Sequence, residues 1–263
     1  MPERYAVIGN PVAHSKSPWI HAEFARACGQ DIEYTRIEAP LDGFREAVDA
    51  FHAGGGKGLN VTLPFKEAAF AYCVTRSERA GRAGVVNTLS FGAQTNGDNT
   101  DGVGLVADLQ SLQVPLKGRR VLIMGAGGAA QGVAGEILEA GAALVVANRT
   151  VSRAQALAER FPGVVACGYP ELAGERFDVV VNATSAGLRD EAVELPPGVL
   201  GGGVLAYDMV YGRDTPFLAA ARAAGARASD GLGMLVGQAA ESFFIWRGVR
   251  PETAGVLARL RGA

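Results

Sequence analysis

The stretch Val121-Leu-Ile-Met-Gly-Ala-Gly-Gly-Ala-Ala130 contains the pattern that decides the fold. Val121 to Met124 form a short apolar run that stops at a glycine, which is typical of a buried parallel strand. Gly125 can adopt the tight turn from strand to helix, Gly127 leaves space for a pyrophosphate, and Ala130 is small enough for helix and strand to pack closely. These residues predict a strand–turn–helix unit whose helix N-terminus can bind an anion.

The residues that follow complete a βαβ unit and favour one dinucleotide. A helix is expected from Ala129 to Ala140, and Leu144 to Ala147 supply the next strand. Enzymes that prefer NAD usually place Asp or Glu about 20 residues beyond the glycines. This chain has Asn148-Arg-Thr150 there, with Arg153 one turn later. Two guanidinium groups and a hydroxyl suit a 2′-phosphate and predict NADP; the alternative is that these arginines are solvated surface residues.

Composition places the chain among globular proteins and excludes several kinds of partner. The 263 residues carry a net charge of −2 and are 48% hydrophobic and 20% charged, which suits one large or two ordinary domains. No block of like charges appears, so we expect neither a nucleic-acid partner nor a membrane partner. The first residues lack the features of a signal peptide, and no uncharged apolar stretch reaches about 18 residues. We therefore expect a cytoplasmic protein.

The cysteines and histidines do not suggest metal or disulfide chemistry. Cys28, Cys73 and Cys167 are odd in number, far apart and outside any C-x-x-C motif, so we expect reduced and buried thiols. The three histidines share no ligand spacing with them, and no metal site is predicted.

Strands alternate with helices along the chain, and the strands end in small polar residues. This order predicts two α/β domains with parallel sheets, separated by a first linker at Val114 to Gly118. In the N-terminal part, a strand starting near Ala83 is expected to return through an Asn96-Gly97 turn toward Asp101.

Two serines lie where a predicted strand leads into a helix. Ser17 precedes Pro18, which is a good helix start, so the hydroxyl of Ser17 can serve as an N-cap. The alternative is that Ser15 and Ser17, together with His14 of the same loop, form a carboxylate pocket at the helix N-terminus.

A second polar group follows the predicted strand from Gly58 to Thr62. Asn60 and Thr62 are two residues apart and so face the same side of the strand, and Lys66 begins the next helix. A helix N-terminus is electrostatically unfavourable for a cation, which favours a functional role for Lys66 over simple solvation. Further on, Gln238 lies off the apolar stripe of a helix predicted from Met234 to Arg247, and it is either a site residue or merely a surface residue.

These motifs together resemble those of the shikimate dehydrogenase family over essentially the whole chain. In chain order they are Asn10-Pro-Val-Ala-His-Ser-Lys-Ser-Pro18, Asn60-Val-Thr-Leu-Pro-Phe-Lys66, Val86-Asn-Thr88, Asp98-Asn-Thr-Asp-Gly102, Gly125-Ala-Gly-Gly-Ala129, Asn148-Arg-Thr150, Asn182-Ala-Thr-Ser185, Asp208-Met-Val-Tyr211 and Asp230-Gly-Leu-Gly-Met-Leu235. An ordered set of this kind is far more specific than the glycine-rich turn alone.

The resemblance implies a domain arrangement and an activity. A mainly parallel α/β substrate domain would span residues 1–112 and be completed by 232–263, with a Rossmann NADP-binding domain inserted at 113–231. The activity would be NADP-dependent, reversible reduction of 3-dehydroshikimate to shikimate, a step of aromatic amino-acid biosynthesis. The partner would be this small-molecule substrate, and the assembly a monomer or homodimer.

The resemblance also implies roles for individual residues. The substrate carboxylate would be held by Ser15 and Ser17 with Tyr211 nearby, and the ring hydroxyls by Asn60, Thr62, Asn87, Asp101 and Gln238. The cofactor residues would be Gly125, Ala126, Gly127, Gly128, Ala129, Asn148, Arg149, Thr150, Arg153, Thr184, Met209 and Gly231. Lys66 and Asp101 match the catalytic pair.

The chemistry would be hydride transfer between the nicotinamide and the C3 carbon of the substrate, with one proton to be handled by the protein. Burial and a neighbouring carboxylate act in opposite directions on the proton affinity of a lysine, so the sequence leaves open which of Lys66 and Asp101 transfers the proton. Two alternatives remain. One is a quinate/shikimate dehydrogenase of the same fold; the other is a non-catalytic NADP sensor, which would be expected to have lost Lys66 or Asp101.

Overall fold

The structure is a computed structural model that describes residues 1–186 and 191–262. The chain divides into two compact units. The terminal unit comprises Met1–Gly104 and Leu235–Ala263, and the central unit comprises Leu105–Met234. Each boundary between the units falls inside a helix. One lies in α5 (Asp101–Ser111) and the other in α9 (Leu232–Arg247). The domain boundaries expected after residues 112 and 231 stay predictions.

The terminal unit contains a mixed sheet in which parallel pairs predominate. Its strands are β1 (Glu3–Gly9), β2 (Ile32–Glu38), β3 (Gly56–Val61), β4 (Thr75–Arg76), β5 (Thr88–Phe91) and β6 (Thr95–Asp98). The order across the sheet is β2-β1-β3-β5-β6-β4. β1 pairs in parallel with β2 and β3, and β4 with β6, whereas β5 is antiparallel to both of its neighbours. The predicted α/β class with a mainly parallel sheet is confirmed.

Helices cover this sheet and bury its apolar side chains. The helices of the unit are α1 (Ser17–Cys28), α2 (Phe44–Ala53), α3 (Lys66–Tyr72), α4 (Glu78–Ala83) and α10 (Ala254–Arg261), together with parts of α5 and α9. Phe44, Val48 and Phe65 pack with Ile8 and Leu59 of the sheet in one core. A second core is formed by α1 and α9 with Val256 of α10.

The predicted Asn96-Gly97 turn is wrong. These residues lie inside β6, and the chain reverses before Thr95. A Cβ on Gly97 would lie 2.6 Å from Sγ of Cys73 and 2.8 Å from a methyl of Val86. The glycine is needed because the neighbouring side chains pack directly against the strand, not because the chain turns.

The central unit is a Rossmann fold, as predicted. Its strands are β7 (Arg120–Met124), β8 (Ala143–Ala147), β9 (Val165–Cys167), β10 (Val179–Asn182), β11 (Leu205–Asp208) and β12 (Arg227–Asp230). All pairs are parallel and the order is β12-β11-β10-β7-β8-β9, the doubly wound order that reverses direction at β7. Its helices are α6 (Gly128–Glu139), α7 (Val151–Arg160) and α8 (Pro216–Ala223), with a short 3-10 helix at Tyr169–Leu172.

Both faces of the central sheet are buried, which explains why its strands are continuous apolar runs. Val121 and Ile123 face one core, and Leu122 and Met124 face the other. Parallel strands all end at the same edge, so the residues that follow β7, β8, β10, β11 and β12 share one side of the unit.

The described residues contain no helix that is long and apolar enough to cross a membrane. They also contain no cluster of three or more His, Cys, Asp or Glu side chains arranged to hold a metal ion. The three cysteines are free thiols, of which Cys73 and Cys167 are buried and Cys28 is partly exposed.

Candidate active site

Lys66 and Asp101 form a hydrogen-bonded ion pair in the terminal unit. Lys66 is the first residue of α3, and Asp101 is the first residue of α5. The ammonium group of Lys66 donates to Oδ2 of Asp101, and the two side chains are only 13% and 7% exposed. A carboxylate is favoured at a helix N-terminus and a cation is not, so Asp101 offsets the unfavourable position of Lys66. The pair is therefore held together although its members are 35 residues apart in the chain.

Asn87 holds the other oxygen of the Asp101 carboxylate. Its Nδ2 donates to Oδ1 of Asp101 at 2.8 Å and to Oγ1 of Thr100 at 2.9 Å. Its Oδ1 accepts from the backbone N–H of Thr100 at 2.8 Å, which fixes the orientation of the amide. Both oxygens of Asp101 thus have partners, and the carboxylate cannot rotate freely.

Gln238 reaches the same network from α9. Its side chain is buried, and Oε1 lies 3.4 Å from Nδ2 of Asn87. Nε2 donates to the backbone oxygen of Leu235 at 2.8 Å. The interpretation of Gln238 as a surface residue is therefore wrong.

Asn60 is buried beside this network, and both its Nδ2 and its Oδ1 form hydrogen bonds. Nδ2 donates to Oγ of Ser242 at 2.8 Å and to Oγ1 of Thr88 at 3.2 Å, while Oδ1 accepts from the hydroxyl of Tyr34 at 2.7 Å. Burial raises the pKa of Tyr34 well above its ordinary value, against a smaller effect of Ser17, so the tyrosine stays protonated and able to donate.

Three hydroxyl groups that were not predicted as site residues complete this network. Thr88, Thr100 and Ser242 are fully buried, and Ser242 lies 2.8 Å from Thr88 and 3.2 Å from Thr100. Ser242 is four residues after Gln238, and that spacing on a helix was an available signal. Thr62, by contrast, follows the end of β3 and is partly exposed, and its side chain takes no part in the hydrogen bonds found among the described residues.

Ser15 and Ser17 are buried where β1 leads into α1. The backbone N–H of Ser17 donates to Oγ of Ser15 at 3.3 Å. The predicted N-cap role of Ser17 is wrong, because α1 begins at Ser17 itself, Lys16 occupies the cap position and no side chain of the described chain caps the helix. The guanidinium of Arg36 donates twice to the backbone oxygen of Ser15, a contact that no local sequence pattern indicated. Tyr211 belongs to the central unit, where it is partly exposed.

In the central unit, the glycine-rich turn lies between β7 and α6. Gly125 has a φ of +100°, which favours glycine, and a Cβ there would lie 3.2 Å from the backbone of Ala183. A Cβ on Gly127, the N-cap residue of α6, would project into open space. Gly128 and Ala129 follow as the first residues of α6. The turn exposes backbone where an anion can approach, which fits the pyrophosphate of a dinucleotide.

The end of the neighbouring strand carries the two candidate arginines. Met124 of β7 pairs with Ala147 of β8, so the residues after β8 lie at the same edge as the glycine turn. The amide of Asn148 donates to the backbone oxygen of Thr150 at 2.8 Å. Arg149 and Arg153 are exposed, and neither forms an ion pair within the described part of the chain. Guanidinium groups without a carboxylate partner at this position fit a 2′-phosphate.

Thr184, Met209 and Gly231 follow β10, β11 and β12 at this edge. A Cβ on Gly231 would lie 2.4 Å from the backbone oxygen of Met209, so no larger residue fits there without moving the backbone. The structure thus gathers the predicted cofactor residues along one edge of one sheet.

Comparison with known protein families matches three models to the chain. Residues 7–89 match "Shikimate dehydrogenase substrate binding domain", residues 108–189 match "Shikimate / quinate 5-dehydrogenase", and residues 231–261 match "Shikimate 5'-dehydrogenase C-terminal domain".

Individual relatives and solved structures are similar to this chain over nearly their full length. A shikimate dehydrogenase (NADP(+)) of Aromatoleum aromaticum is 58% identical, with 98% of this chain and 97% of the relative covered. An Ael1 enzyme from Pseudomonas putida is 48% identical with a TM-score of 0.92, and 98% of each chain is covered. A shikimate 5-dehydrogenase from Thermus thermophilus, solved with NADP(H) and shikimate, is 38% identical with a TM-score of 0.89, and 99% of each chain is covered. The chain therefore belongs to the shikimate dehydrogenase family.

Proposed function

We propose that this protein catalyses the NADP-dependent, reversible reduction of 3-dehydroshikimate to shikimate in aromatic amino-acid biosynthesis. The observation that carries the proposal is the Lys66–Asp101 pair, which Asn87 holds in a buried network of a chain belonging to this family. A non-catalytic NADP sensor would have no need to keep this pair.

The reduced cofactor, NADPH, would supply the hydride from C4 of its nicotinamide ring. The residues proposed to bind it are Gly125, Ala126, Gly127, Gly128 and Ala129 at the pyrophosphate, Asn148, Arg149, Thr150 and Arg153 at the 2′-phosphate, and Thr184, Met209 and Gly231 toward the nicotinamide. Support comes from the two exposed arginines and from the open space above Gly127.

The substrate would be held mainly by groups of the terminal unit. Ser15 and Ser17, with Tyr211, are proposed to bind the carboxylate, and Asn60, Thr62, Asn87 and Gln238 the ring hydroxyls. The amide of Asn60 already donates to Ser242 and Thr88, so the free lone pair of its Oδ1 is its available contact with a substrate hydroxyl.

Lys66 is proposed to act as the acid and base of the reaction. When hydride reaches the C3 carbonyl carbon, its oxygen needs a proton, which the ammonium of Lys66 can donate; in the reverse direction the amine takes it back. Asp101 would orient the ammonium group and contact the substrate, and Asn87 would orient Asp101.

Steady-state kinetics of two variants test this assignment. Lys66→Ala should lower kcat by about 10²-fold or more, the typical effect of losing a positioned proton-transfer group, with little change in the KM for shikimate. Asp101→Asn should affect both parameters, because Asp101 has two roles. Lys57→Ala removes an exposed lysine of the same unit and serves as the matched control. Near-normal kcat with a raised KM in the Lys66 variant would show that this lysine only binds.

The same assay should include quinate, because one family model covers both shikimate and quinate enzymes. Turnover of quinate that rivals turnover of shikimate would place the protein in the alternative class.

We also propose a cytoplasmic monomer or homodimer that acts on a small molecule, without nucleic-acid or membrane partners. The net charge of −2 and the lack of charge blocks support only the expected absence of nucleic-acid and membrane partners. Light scattering coupled to size-exclusion chromatography would determine the assembly, and a mass above that of a dimer would contradict it.

A further inference from the structure

Two buried polar side chains lie side by side at the carboxyl ends of two strands of the central sheet, the edge that carries the proposed cofactor residues. Asn182 is the last residue of β10 and Asp208 the last residue of β11, and the two are direct partners in the strand register. Their exposed fractions are 1% and 0%. Nδ2 of Asn182 donates to Oδ2 of Asp208 at 3.2 Å. The pair therefore links two neighbouring strands at the points where both leave the sheet.

Each member of the pair also holds the loop that follows its own strand. Oδ1 of Asn182 accepts from both the backbone N–H and the hydroxyl of Thr184, at 3.1 and 2.7 Å. Oδ1 of Asp208 accepts from the backbone N–H of Val210 at 3.0 Å. The backbone oxygen of Asn182 accepts from the N–H of Met209 at 3.0 Å, which ties the second loop to the first strand.

Burial and hydrogen bonding act in opposite directions on the carboxyl group of Asp208. Burial raises the pKa of Asp208, and the hydrogen bonds from Thr215, Val210 and Asn182 oppose that rise. The hydroxyl of Thr215 donates to Oδ2 at 2.6 Å, so among the described residues Oδ2 accepts two hydrogen bonds and Oδ1 accepts one. The hydrogen-bonding groups of both side chains are thus directed at the two loops and at each other.

We infer that Asn182 and Asp208 are positioning residues for hydride transfer, because they set the loops that carry Thr184 and Met209 beside the nicotinamide. This inference rests on the proposed function. The Met209 loop is in turn linked to β12, since the N–H of Gly231 donates to the backbone oxygen of Val210 at 3.2 Å. The pair is thereby linked to Thr184, to Met209 and Val210 and, through Val210, to Gly231.

A swap of the two side chains tests the inference. Asn182→Asp removes the Nδ2 donor to Asp208. Asp208→Asn replaces one acceptor oxygen by an NH2 group, so the side chain can no longer accept both from Val210 and from Asn182 and Thr215. Each single variant therefore loses a hydrogen bond that holds one of the loops. The double variant restores one amide and one carboxylate in the reverse order. Asn and Asp have nearly the same shape, so the swap changes hydrogen bonding more than volume.

The readout is the reduction of 3-dehydroshikimate with NADPH that carries hydrogen or deuterium at both C4 positions. Each single variant should lower kcat by about 10-fold or more, because small misplacements of reacting groups are costly. The deuterium isotope effect on kcat should rise, since hydride transfer becomes rate-limiting. The Kd of NADPH, followed by its fluorescence, should stay within about threefold because the phosphate contacts are intact. The double variant should recover kcat to within about threefold of wild type.

The control is Phe177→Leu, a core truncation just before β10 at the opposite edge of the sheet. It should lower the melting temperature and leave the isotope effect unchanged. If Asn182→Asp fails to fold because two carboxylates are buried together, Asp208→Asn carries the same test without an added charge.

Three results would overturn the inference: folded single variants with wild-type kcat and isotope effect, a double variant no better than the worse single variant, or an equal rise of the isotope effect in Phe177→Leu. Failure of the proposed function is distinguishable, because the wild-type protein would then not reduce 3-dehydroshikimate with NADPH.

Discussion

His21 should make the stability of the terminal unit fall at mildly acidic pH. Its side chain is fully buried on α1 and stacks on the ring of Tyr34, with 4.2 Å between centroids and 6° between planes. Neither ring nitrogen has a hydrogen-bond partner among the described residues. Burial lowers the pKa of His21 from 6.5 to about 3, against a smaller opposite effect of the Asn60 amide. The imidazole is therefore neutral in the folded protein, because charging it there would cost its solvation by water.

The size of the effect follows from linkage between protonation and folding. Between the folded pKa of about 3 and the unfolded value of 6.5, the unfolded chain binds the proton and the folded chain does not. Acid therefore favours unfolding in this window, and the stability present at neutral pH is lost as the pH falls. Between roughly pH 7.5 and pH 4.5 the loss due to this one group is about 2.6 kcal/mol.

Urea unfolding of wild type and His21→Phe at several pH values measures this loss. Both tryptophans, Trp19 and Trp246, belong to the terminal unit, so their fluorescence reports its unfolding. The phenylalanine variant keeps an aromatic ring and removes the titrating group, so its stability should fall by about 2.6 kcal/mol less over the same range. At neutral pH it should be at least as stable as wild type, because it buries no ring nitrogen at this position. His52→Gln, which removes an exposed histidine, should behave like wild type. Equal losses in wild type and His21→Phe would refute the reasoning.

Three further predictions concern the cofactor, the substrate and the core. Replacing Arg149 and Arg153 together by alanine should remove most of the preference for NADP over NAD in kcat/KM, and a double variant that still strongly prefers NADP would show that other groups bind the phosphate. Ser242 accepts a hydrogen bond from Asn60, a proposed substrate-binding residue. Ser242→Ala should therefore raise the KM for shikimate about 10-fold with kcat nearly unchanged, while Ser242→Thr, which keeps the hydroxyl, should recover much of the loss. Tyr207→Phe removes the buried 2.6 Å hydrogen bond to Asp108 and should cost about 1–3 kcal/mol in thermal unfolding, whereas an unchanged melting temperature would contradict that role.

The sequence by itself determined the central unit well, because the signals there are local. The apolar run Val121–Met124, the glycine turn and the helix after it are contiguous, and each depends on its own backbone geometry and side-chain volume. The position of Asn148-Arg-Thr150 after β8 could also be predicted, since the residues that follow parallel strands lie at the same edge of the sheet. Lys66 was singled out for a related reason, because a cation at a helix N-terminus is unfavourable wherever the helix lies.

Only the tertiary structure decided which buried polar groups meet. Asn60 and Ser242 are 182 residues apart and Asn182 and Asp208 are 26 apart, so no local pattern connects them. The Asn96-Gly97 pair shows the same limit, because its sequence is typical of a turn, yet contact with Cys73 makes glycine necessary inside a strand. Periodicity and propensity report what a segment prefers in isolation. Which polar atoms can satisfy one another away from water depends on long-range packing, and that is decided only when the whole chain has folded.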